Sequence, residues 1–560
     1  MSKHHLAAVA ISLGLICNFH VYAQDSSKRM AEDEKDDTEY LVVDPLLIAQ
    51  ASEVWRFISA EDNKIWKNWD ASKTPILFYL PGKQDVLINH PAPPEGFSLY
   101  QGGIKFPSGQ VYVRNGETLF AHDGQNTRTN IAGIESLVVA DTLSNRKNNV
   151  AGMIYDPRDP MEKINGITYE QLGSDPYDSM GMIAHEGFHV FQYMAAGNKG
   201  GDELSLKKYP TLSVKNNVGF ALEGRSLLKV MEATSVSEAK KAAIEWLAIR
   251  HDRRKSLSEE LIAYEDGTEF SEGLAKYVEY RLFEVLEGRN PGERMEWIQG
   301  FKGYSDLSFL RARLESEMLS IMRGEVNVNN DPYGTAPLRM RLYYSGMAIA
   351  VMLDRLKIDW KEAILKPKTT LTGLVSGALS VDEEYLINTL TAVTQGDEYD
   401  AIIAKKTALQ KAGQDRAIEM VKTILKGNNT LVIIDYSRLP NLHIAMGFSP
   451  FGIVNVDAER TIFGQSSISA RLRKETIFRQ SSVSPVIQDD AKGQFLFQLT
   501  EKISRTALVD MMKGNELDTV NVIEKLDLPG VRIDIGRAIV RWDDEKIVIQ
   551  LLPVESGESN

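Results

Sequence analysis

The sequence is nearly without cysteine, because Cys17 is the only one in 560 residues. Since Cys17 falls in an apolar N-terminal stretch, the rest of the chain has no thiol for a disulfide or for a metal. A metal site there has to use His, Asp and Glu side chains. An excess of positive charge is also absent, since 77 acidic residues outnumber 64 lysines and arginines, the formal net charge is -13 and no basic run is present. This balance argues against nucleic acid as a partner.

Apolar runs long enough to cross a membrane are also missing. The apolar stretch at residues 6–19 is too short for a spanning helix. Basic residues precede it and the small residue Ala23 follows it, so residues 1–23 are predicted to be a signal peptide. Ile16 stands before Cys17, where a lipoprotein signal requires a small residue. We therefore expect an exported bacterial protein, periplasmic or secreted, without a lipid anchor or an integral membrane span.

The remaining chain divides into regions with different patterns. Residues 24–43 are predicted to be a mobile mature N-terminus that is rich in charge. One helix and short strands, separated by proline and glycine, predict an α+β part over residues 44–168. Helical patterns dominate residues 169–426, and strand-like runs predict a β-rich domain over residues 427–560. The predicted fold class is therefore α+β and multidomain.

These patterns also predict individual elements. Helices are predicted at residues 46–57, 218–233, 236–251, 269–286, 309–322, 338–356 and 401–425. Strands are predicted at residues 76–80, 111–113, 137–140, 431–434, 452–456, 494–498 and 531–535, with a hairpin of residues 538–542 and 546–551.

One apolar, helix-patterned stretch contains a chemical motif, in which His185, Glu186, Gly187, Phe188 and His189 form an HExxH pentapeptide. On an α-helix, positions i and i+4 share a face, so both imidazoles can point at one divalent metal. Glu186 lies beside them and can act as a general base toward a water at that metal. The alternative is a pair of core histidines that are satisfied by backbone carbonyls. The motif favours a zinc site that catalyses hydrolysis.

A catalytic zinc usually takes three protein ligands and leaves one position for water, so a third ligand is needed. Residues 271–280 read Ser-Glu-Gly-Leu-Ala-Lys-Tyr-Val-Glu-Tyr. This segment resembles the Asn-Glu-Gly-Phe-Ala-x-Tyr-Val-Glu segment of the aminopeptidase N family, in the gluzincin superfamily that also includes thermolysin. The resemblance implies a zincin-type helical catalytic domain, a Zn2+ cofactor and Glu272 as the third ligand. Glu223, which also precedes a glycine, is the alternative ligand.

A second segment shares this resemblance. Residues 341–354 are similar to the Tyr-x-x-Gly helix start that follows the zinc helices in aminopeptidase N and glycyl aminopeptidase relatives. There a tyrosine three positions before the glycine donates a hydrogen bond to the tetrahedral intermediate. The resemblance implies this role for Tyr343, with Tyr344 as the alternative, and a neutral phenol suits it. Glu279, on the same helix face as Glu272, either orients a zinc-bound imidazole or is solvated.

The sequence also departs from that family. The interval between the HExxH motif and the third ligand is much longer, and a predicted helical hairpin occupies it. Residues 151–155 stand where the family has Gly-Ala-Met-Glu-Asn on the strand that binds the substrate backbone. Ile154 replaces the glutamate that recognises a free α-amine. We therefore do not expect aminopeptidase specificity, although Glu265 or Glu269 could supply an amine clamp.

Together these patterns predict an exported zinc metallopeptidase, a hydrolase that acts on a peptide or protein substrate. His185, His189 and Glu272 would bind Zn2+, Glu186 would act as general base, and Tyr343 would stabilise the oxyanion. One alternative is a secreted binding or assembly protein on a peptidase scaffold, in which any metal is structural. The other is a zinc hydrolase of a non-peptide amide or ester. Metal content tests the first alternative, and substrate profiling tests the second.

Overall fold

A computed structural model describes most of the chain after residue 40. The described residues are 41–59, 63–102, 106–107, 109–116, 118–119, 126–141, 163–164, 167–168, 176–292, 295–298, 300–325, 335–439, 444–447, 453–463, 468–472, 476–480 and 485–553. The predicted signal peptide, residues 24–40 of the predicted N-terminal segment, and the predicted substrate strand at residues 151–155 lie outside them.

Helices make up most of the chain between residues 176 and 426. The α-helices are α1 (Pro45–Ile58), α2 (Pro176–Ala196), α3 (Val214–Glu232), α4 (Val236–Arg254), α5 (Glu259–Thr268), α6 (Leu274–Leu286), α7 (Ser308–Met322), α8 (Thr335–Arg355), α9 (Lys361–Ile364), α10 (Leu371–Leu379), α11 (Glu383–Val393), α12 (Asp397–Lys426) and α13 (Arg505–Met511). Short 3₁₀ helices occupy Ala71–Lys73, Glu203–Lys207 and Met295–Trp297. Among the described residues, no helix is both long and apolar enough to cross a membrane.

The helix predicted at residues 269–286 is the C-terminal part of a longer helix that begins at Glu259. It starts with α5, where the Ser258 side chain accepts a hydrogen bond from the backbone of Leu261. A π-helical turn, Glu269–Gly273, then joins α5 to α6. Sequence patterns missed α5 because Gly267 and Thr268 are weak helix formers, whereas burial in the folded protein stabilises them as part of the helix.

The N-terminal region contains a six-stranded sheet. Its strands are β1 (Ile76–Leu80), β2 (Gln84–Ile88), β3 (Ser98–Leu99), β4 (Val111–Asn115), β5 (Thr127–Ile131) and β6 (Ile134–Ala140), in the order β3-β4-β2-β1-β6-β5. β1 and β6 are parallel, and the other neighbours are antiparallel. A separate pair follows, made of β7 (Lys163–Ile164) and β8 (Ile167–Thr168).

Strand β5 lies at an edge of this sheet and runs beside α2. The Asn126 amide donates to the Met182 sulfur at 3.1 Å. The Arg128 guanidinium lies over the Tyr193 ring, 3.5 Å from its centroid. These two contacts fix the sheet beside the helix that carries the HExxH motif.

The C-terminal region is rich in β-structure, as the sequence predicts. Its strands are β9 (Leu431–Asp435), β10 (Ala445–Gly447), β11 (Ile453–Asn455), β12 (Arg460–Phe463), β13 (Ile468–Arg471), β14 (Ile477–Gln480), β15 (Val486–Asp489), β16 (Gln494–Gln498), β17 (Val520–Ile523), β18 (Leu526–Leu528), β19 (Val531–Asp534), β20 (Gly536–Asp543) and β21 (Lys546–Leu551). They form sheets with the orders β11-β12-β15-β16-β9-β21-β20-β17 and β10-β13-β14-β19-β18. The whole chain is thus a mixed α and β protein with a β-rich C-terminal region.

The predicted C-terminal hairpin is β20 and β21. Its turn contains Asp544 and Glu545, which both have positive φ angles of 48° and 62°. Two such residues between antiparallel strands match the type I′ turn, whose twist fits that of the strands. The C-terminal sheets also bind the helical region, because the Asn455 amide donates to the carbonyls of Leu206 and Tyr209 at 3.0 and 2.8 Å.

Candidate metal centre

The HExxH motif lies in the middle of α2, and two of the three residues between its histidines, Gly187 and Phe188, are buried. Phe188 packs against Trp66 and Trp69, with ring centroids 4.9 and 5.2 Å away. A Cβ on Gly187 would lie 2.9 Å from the Trp55 ring, so only glycine allows this close approach. Since this side of α2 packs into the core, the opposite side presents the two imidazoles.

Three side chains converge where the sequence predicts a metal. The Glu272 Oε2 atom lies 3.4 Å from the Nε2 atom of His185 and 3.4 Å from that of His189. All three donor atoms lie within 4.8 Å of one another. Two donors on a tetrahedral zinc with bonds of about 2.1 Å are about 3.4 Å apart. The geometry and the donor types therefore fit a Zn2+ ion.

The π-helical turn brings Glu272 to this position. It packs against α8 so closely that a Cβ on Gly273 would lie 2.6 Å from the Gly346 Cα. A Cβ on Gly346 would lie 2.7 Å from the Glu269 carbonyl oxygen. Because neither glycine has a side chain, the two helices cross at backbone contact. Single π turns inside α-helices often occur at functional sites.

Glu279 orients the imidazole of His185 through its Nδ1 atom. The Glu279 Oε1 atom lies 2.7 Å from the His185 Nδ1 atom, and Lys276 donates to the other carboxylate oxygen at 2.7 Å. A carboxylate accepts only, so His185 Nδ1 carries a proton, and the Nε2 atom is the one that can offer a lone pair to a metal. Of the two roles considered for Glu279, the structure therefore favours orienting the imidazole over solvation.

Gln192 orients the imidazole of His189 in the same way, a role that the sequence patterns did not predict. Its Nε2 donates to the carbonyls of Phe270 and Ser271 at 2.6 and 3.1 Å. Since carbonyls only accept, the amide oxygen has to face the His189 Nδ1 atom, which lies 2.9 Å away. His189 Nδ1 therefore carries a proton, and its Nε2 faces Glu272. The signal in the sequence was the spacing, because Gln192 follows His189 by about one helical turn.

The charges of the three converging side chains are strongly coupled. Burial opposes a charge on His185, but hydrogen bonds to Glu272 and Glu279 outweigh it and raise the pKa of His185 to about 10. Burial also opposes a charge on His189, and Glu272 raises its pKa in the same way. Burial alone would raise the pKa of Glu272, but the two imidazoles hold it well below its usual range. A divalent cation can replace the Nε2 protons of both imidazoles, while each Nδ1 atom keeps its proton.

Glu186 is partly exposed and lies close enough to act on this group electrostatically. Its negative charge contributes to the raised pKa values of His185, His189 and Tyr343. The carboxylate is therefore next to the converging donors without being one of the three. In HExxH helices of zinc peptidases, the residue at this position of the motif acts as general base toward a water at the metal.

The two adjacent tyrosines of α8 have different surroundings. The Tyr343 ring stacks on His185 at a centroid distance of 6.0 Å, and its hydroxyl group interacts with Glu272. Tyr344 is buried, and its hydroxyl donates to Glu317 at 2.6 Å. The structure brings Tyr343, and not Tyr344, to the metal centre.

Arg339 is a second residue that the sequence analysis missed. Its Nη2 donates to Glu272 Oε1 at 2.9 Å, and its Nη1 pairs with Glu203. Arg339 precedes Tyr343 by four positions, so both side chains leave the same face of α8. This spacing was visible in the sequence, but nothing there indicated that α8 crosses the Glu272 turn.

The alternative ligand Glu223 does not reach the metal centre. It is fully buried on α3, where Arg250 donates to it at 3.0 Å and Arg253 at 2.6 Å. Glu265 and Glu269, considered as amine clamps, are also fully buried and paired with arginines of α4. None of these three carboxylates is available to a substrate, so the clamp hypothesis is wrong for Glu265 and Glu269.

No family model, no curated protein and no solved structure matches this chain. Any functional conclusion therefore depends on the residues of the metal centre and on their geometry.

Proposed function

We propose that this protein is a zinc-dependent metallopeptidase of gluzincin type, and that it is exported. One observation carries the proposal. One carboxylate oxygen of Glu272 lies 3.4 Å from the Nε2 atoms of both His185 and His189, which is about the separation of two donors on a tetrahedral zinc. Glu186, on the same helix as the two histidines, acts on both imidazoles electrostatically. His185, His189 and Glu272 would hold Zn2+. Bound there, zinc would lower the pKa of a water to about 7 and polarise a carbonyl.

The other side chains of the site would move protons and stabilise charge. Glu186 would take the proton of the attacking water and pass it to the leaving amine, as general base and then general acid. Tyr343 would donate a hydrogen bond to the oxyanion that forms at the scissile carbonyl. Burial and the nearby Glu272 raise the pKa of Tyr343 well above its usual range, so its phenol stays a neutral donor at neutral pH.

The decisive experiment is the substitution Glu186→Gln in the purified mature chain. Glutamine keeps the shape but cannot accept the proton, so we expect peptide cleavage to fall by about 10²- to 10⁴-fold while the zinc content stays at the wild-type level. Zinc content is measured by mass spectrometry, and cleavage is measured with a mixture of unmodified peptides. Glu232→Gln, at an exposed glutamate of α3, is the control and should leave both values unchanged.

Two results would contradict the proposal. Wild-type cleavage by zinc-loaded Glu186→Gln would exclude this mechanism. A folded wild-type chain that binds no zinc would favour a binding or assembly protein on a peptidase scaffold instead.

A further inference from the structure

The two oxygens of Glu272 face different partners. Oε2 lies 3.4 Å from each imidazole Nε2 atom of His185 and His189, whereas Oε1 accepts a hydrogen bond from Arg339 at 2.9 Å. A hydrogen bond between two charged groups is stronger than one between neutral groups. For both oxygens to bind one metal, Glu272 would have to give up this hydrogen bond.

The Arg339 side chain is itself held firmly. Only 13% of it is exposed, and its guanidinium lies between the carboxylates of Glu203 and Glu272. The guanidinium carbon lies 5.5 Å from the centroid of the Tyr343 ring, which comes from the same helix. Because α8 meets the π-helical turn at the Gly273 and Gly346 contact, the backbones that carry Arg339 and Glu272 are fixed relative to each other.

We propose that Arg339 is a positioning residue that keeps Glu272 bound to the metal through one oxygen. This inference rests on the proposed function. Two imidazoles and one oxygen make three donor atoms, which leaves the fourth tetrahedral position for water. If Glu272 bound through both oxygens, its second oxygen would fill that position. Arg339 thus acts on the reaction through Glu272, without touching the substrate.

Cobalt(II) in place of zinc tests this inference, because its visible absorption is intense in four-coordinate sites and weaker at higher coordination number. We expect intense bands for the wild type and weaker bands for Arg339→Met at full cobalt occupancy. The kcat of the zinc form should fall by about 10- to 100-fold, as for other residues that support metal ligands. Arg339→Lys, which keeps a charged donor, should restore part of the cobalt absorption and part of the kcat.

Two further variants separate positioning from folding. Arg355→Met, at the other end of α8, removes a hydrogen bond to the Met231 carbonyl and should leave the cobalt spectrum unchanged. Glu203→Gln weakens the ion pair between Glu203 and Arg339. It should shift the cobalt spectrum in the same direction as Arg339→Met, but by less. It also serves as the test if Arg339→Met does not fold.

The results distinguish this inference from the proposed function. If Arg339→Met has the wild-type cobalt spectrum and kcat, the inference is overturned and the proposed function is unaffected. The same holds for Glu203→Gln if only that variant folds. An equal spectral change in Arg355→Met would overturn it too, because the effect would then be a general one of α8. A wild-type chain that binds neither cobalt nor zinc would remove the proposed function and, with it, this inference.

Discussion

At the scale of single residues, the role of a polar side chain depends more on the groups that it contacts than on its residue type. Tyr343 and Tyr344 are neighbours on α8, yet the first faces Glu272 and His185 and the second faces Glu317. Since successive positions on an α-helix point about 100° apart, only one of them can face the metal centre. Chemistry is therefore expected from Tyr343 and packing from Tyr344.

This difference gives a prediction with a built-in control. Tyr343→Phe should lower kcat by about 10²- to 10³-fold, the usual loss when one oxyanion donor is removed, with zinc content unchanged. Tyr344→Phe should leave kcat near the wild-type value. It should lower the free energy of unfolding by about 1 kcal/mol, because Glu317 loses a hydrogen bond. Steady-state kinetics and urea unfolding measure these effects, and the opposite order would contradict the assignment.

At the scale of secondary-structure elements, the metal centre depends on the crossing of α8 with the π-helical turn. The crossing has two glycines, Gly273 and Gly346, at backbone contact. A methyl group there has no space, so the two helices would have to separate. Such a separation would move Glu272 on one helix away from Arg339 and Tyr343 on the other.

We therefore expect Gly346→Ala to lower the free energy of unfolding by about 1–3 kcal/mol and to reduce zinc affinity. The matched control is Gly377→Ala in α10, where a Cβ would meet no atom within 4 Å. That variant should be stabilised by up to about 1 kcal/mol, because alanine favours a helix more than glycine does. Urea unfolding and competition with a chelator measure both effects. Equal stability changes in the two variants would rule out a tight crossing.

At the scale of the whole molecule, a buried ion cluster joins the long insert, α3 and α4, to the helices of the candidate metal centre. Arg250 of α4 donates to Glu223 of α3 and to Glu269 of the π-helical turn, at 3.0 and 2.7 Å. Arg253 donates to Glu223 and to Glu265 of α5, at 2.6 Å each. The helical hairpin of α3 and α4 therefore packs behind the Glu272 turn and supports it.

This cluster predicts acid sensitivity. Burial raises the pKa of Glu223 and Glu265, but the arginines outweigh it and hold both pKa values below the unfolded value of 4.5. A lowered pKa in the folded state adds stability above pH 4.5, and this stability is lost as the pH falls toward the folded pKa. We expect the free energy of unfolding, measured with urea, to fall steeply between about pH 5 and pH 3.

A variant assigns this pH dependence to the cluster. Glu265→Gln should cost about 3–5 kcal/mol at pH 7, because it leaves buried arginine charge uncompensated. Its unfolding free energy should also depend less on pH below 5. Glu238→Gln, at a fully exposed carboxylate that also has a lowered pKa, should change both quantities much less. The same pH slope in Glu265→Gln and in the wild type would mean that other groups cause the acid sensitivity.

Patterns in the sequence predicted the elements that depend on local preference. The strands at residues 76–80 and 494–498 have the predicted bounds, and α1 begins and ends within one residue of the prediction. Helix ends were less accurate where the cap lay outside the apolar pattern. The predicted helix at residues 269–286 missed α5, which is capped by Ser258 and ends in the weak helix formers Gly267 and Thr268.

The sequence by itself determined which two histidines share a helix face, because their spacing and the helical period require it. It also determined that a metal bound after residue 17 has no thiolate ligand, since Cys17 is the only cysteine. Only the tertiary structure decided between Glu223 and Glu272, and between Tyr343 and Tyr344. These choices depend on how α3, α8 and the π-helical turn cross, and a contact between distant segments leaves no periodic signal in the sequence.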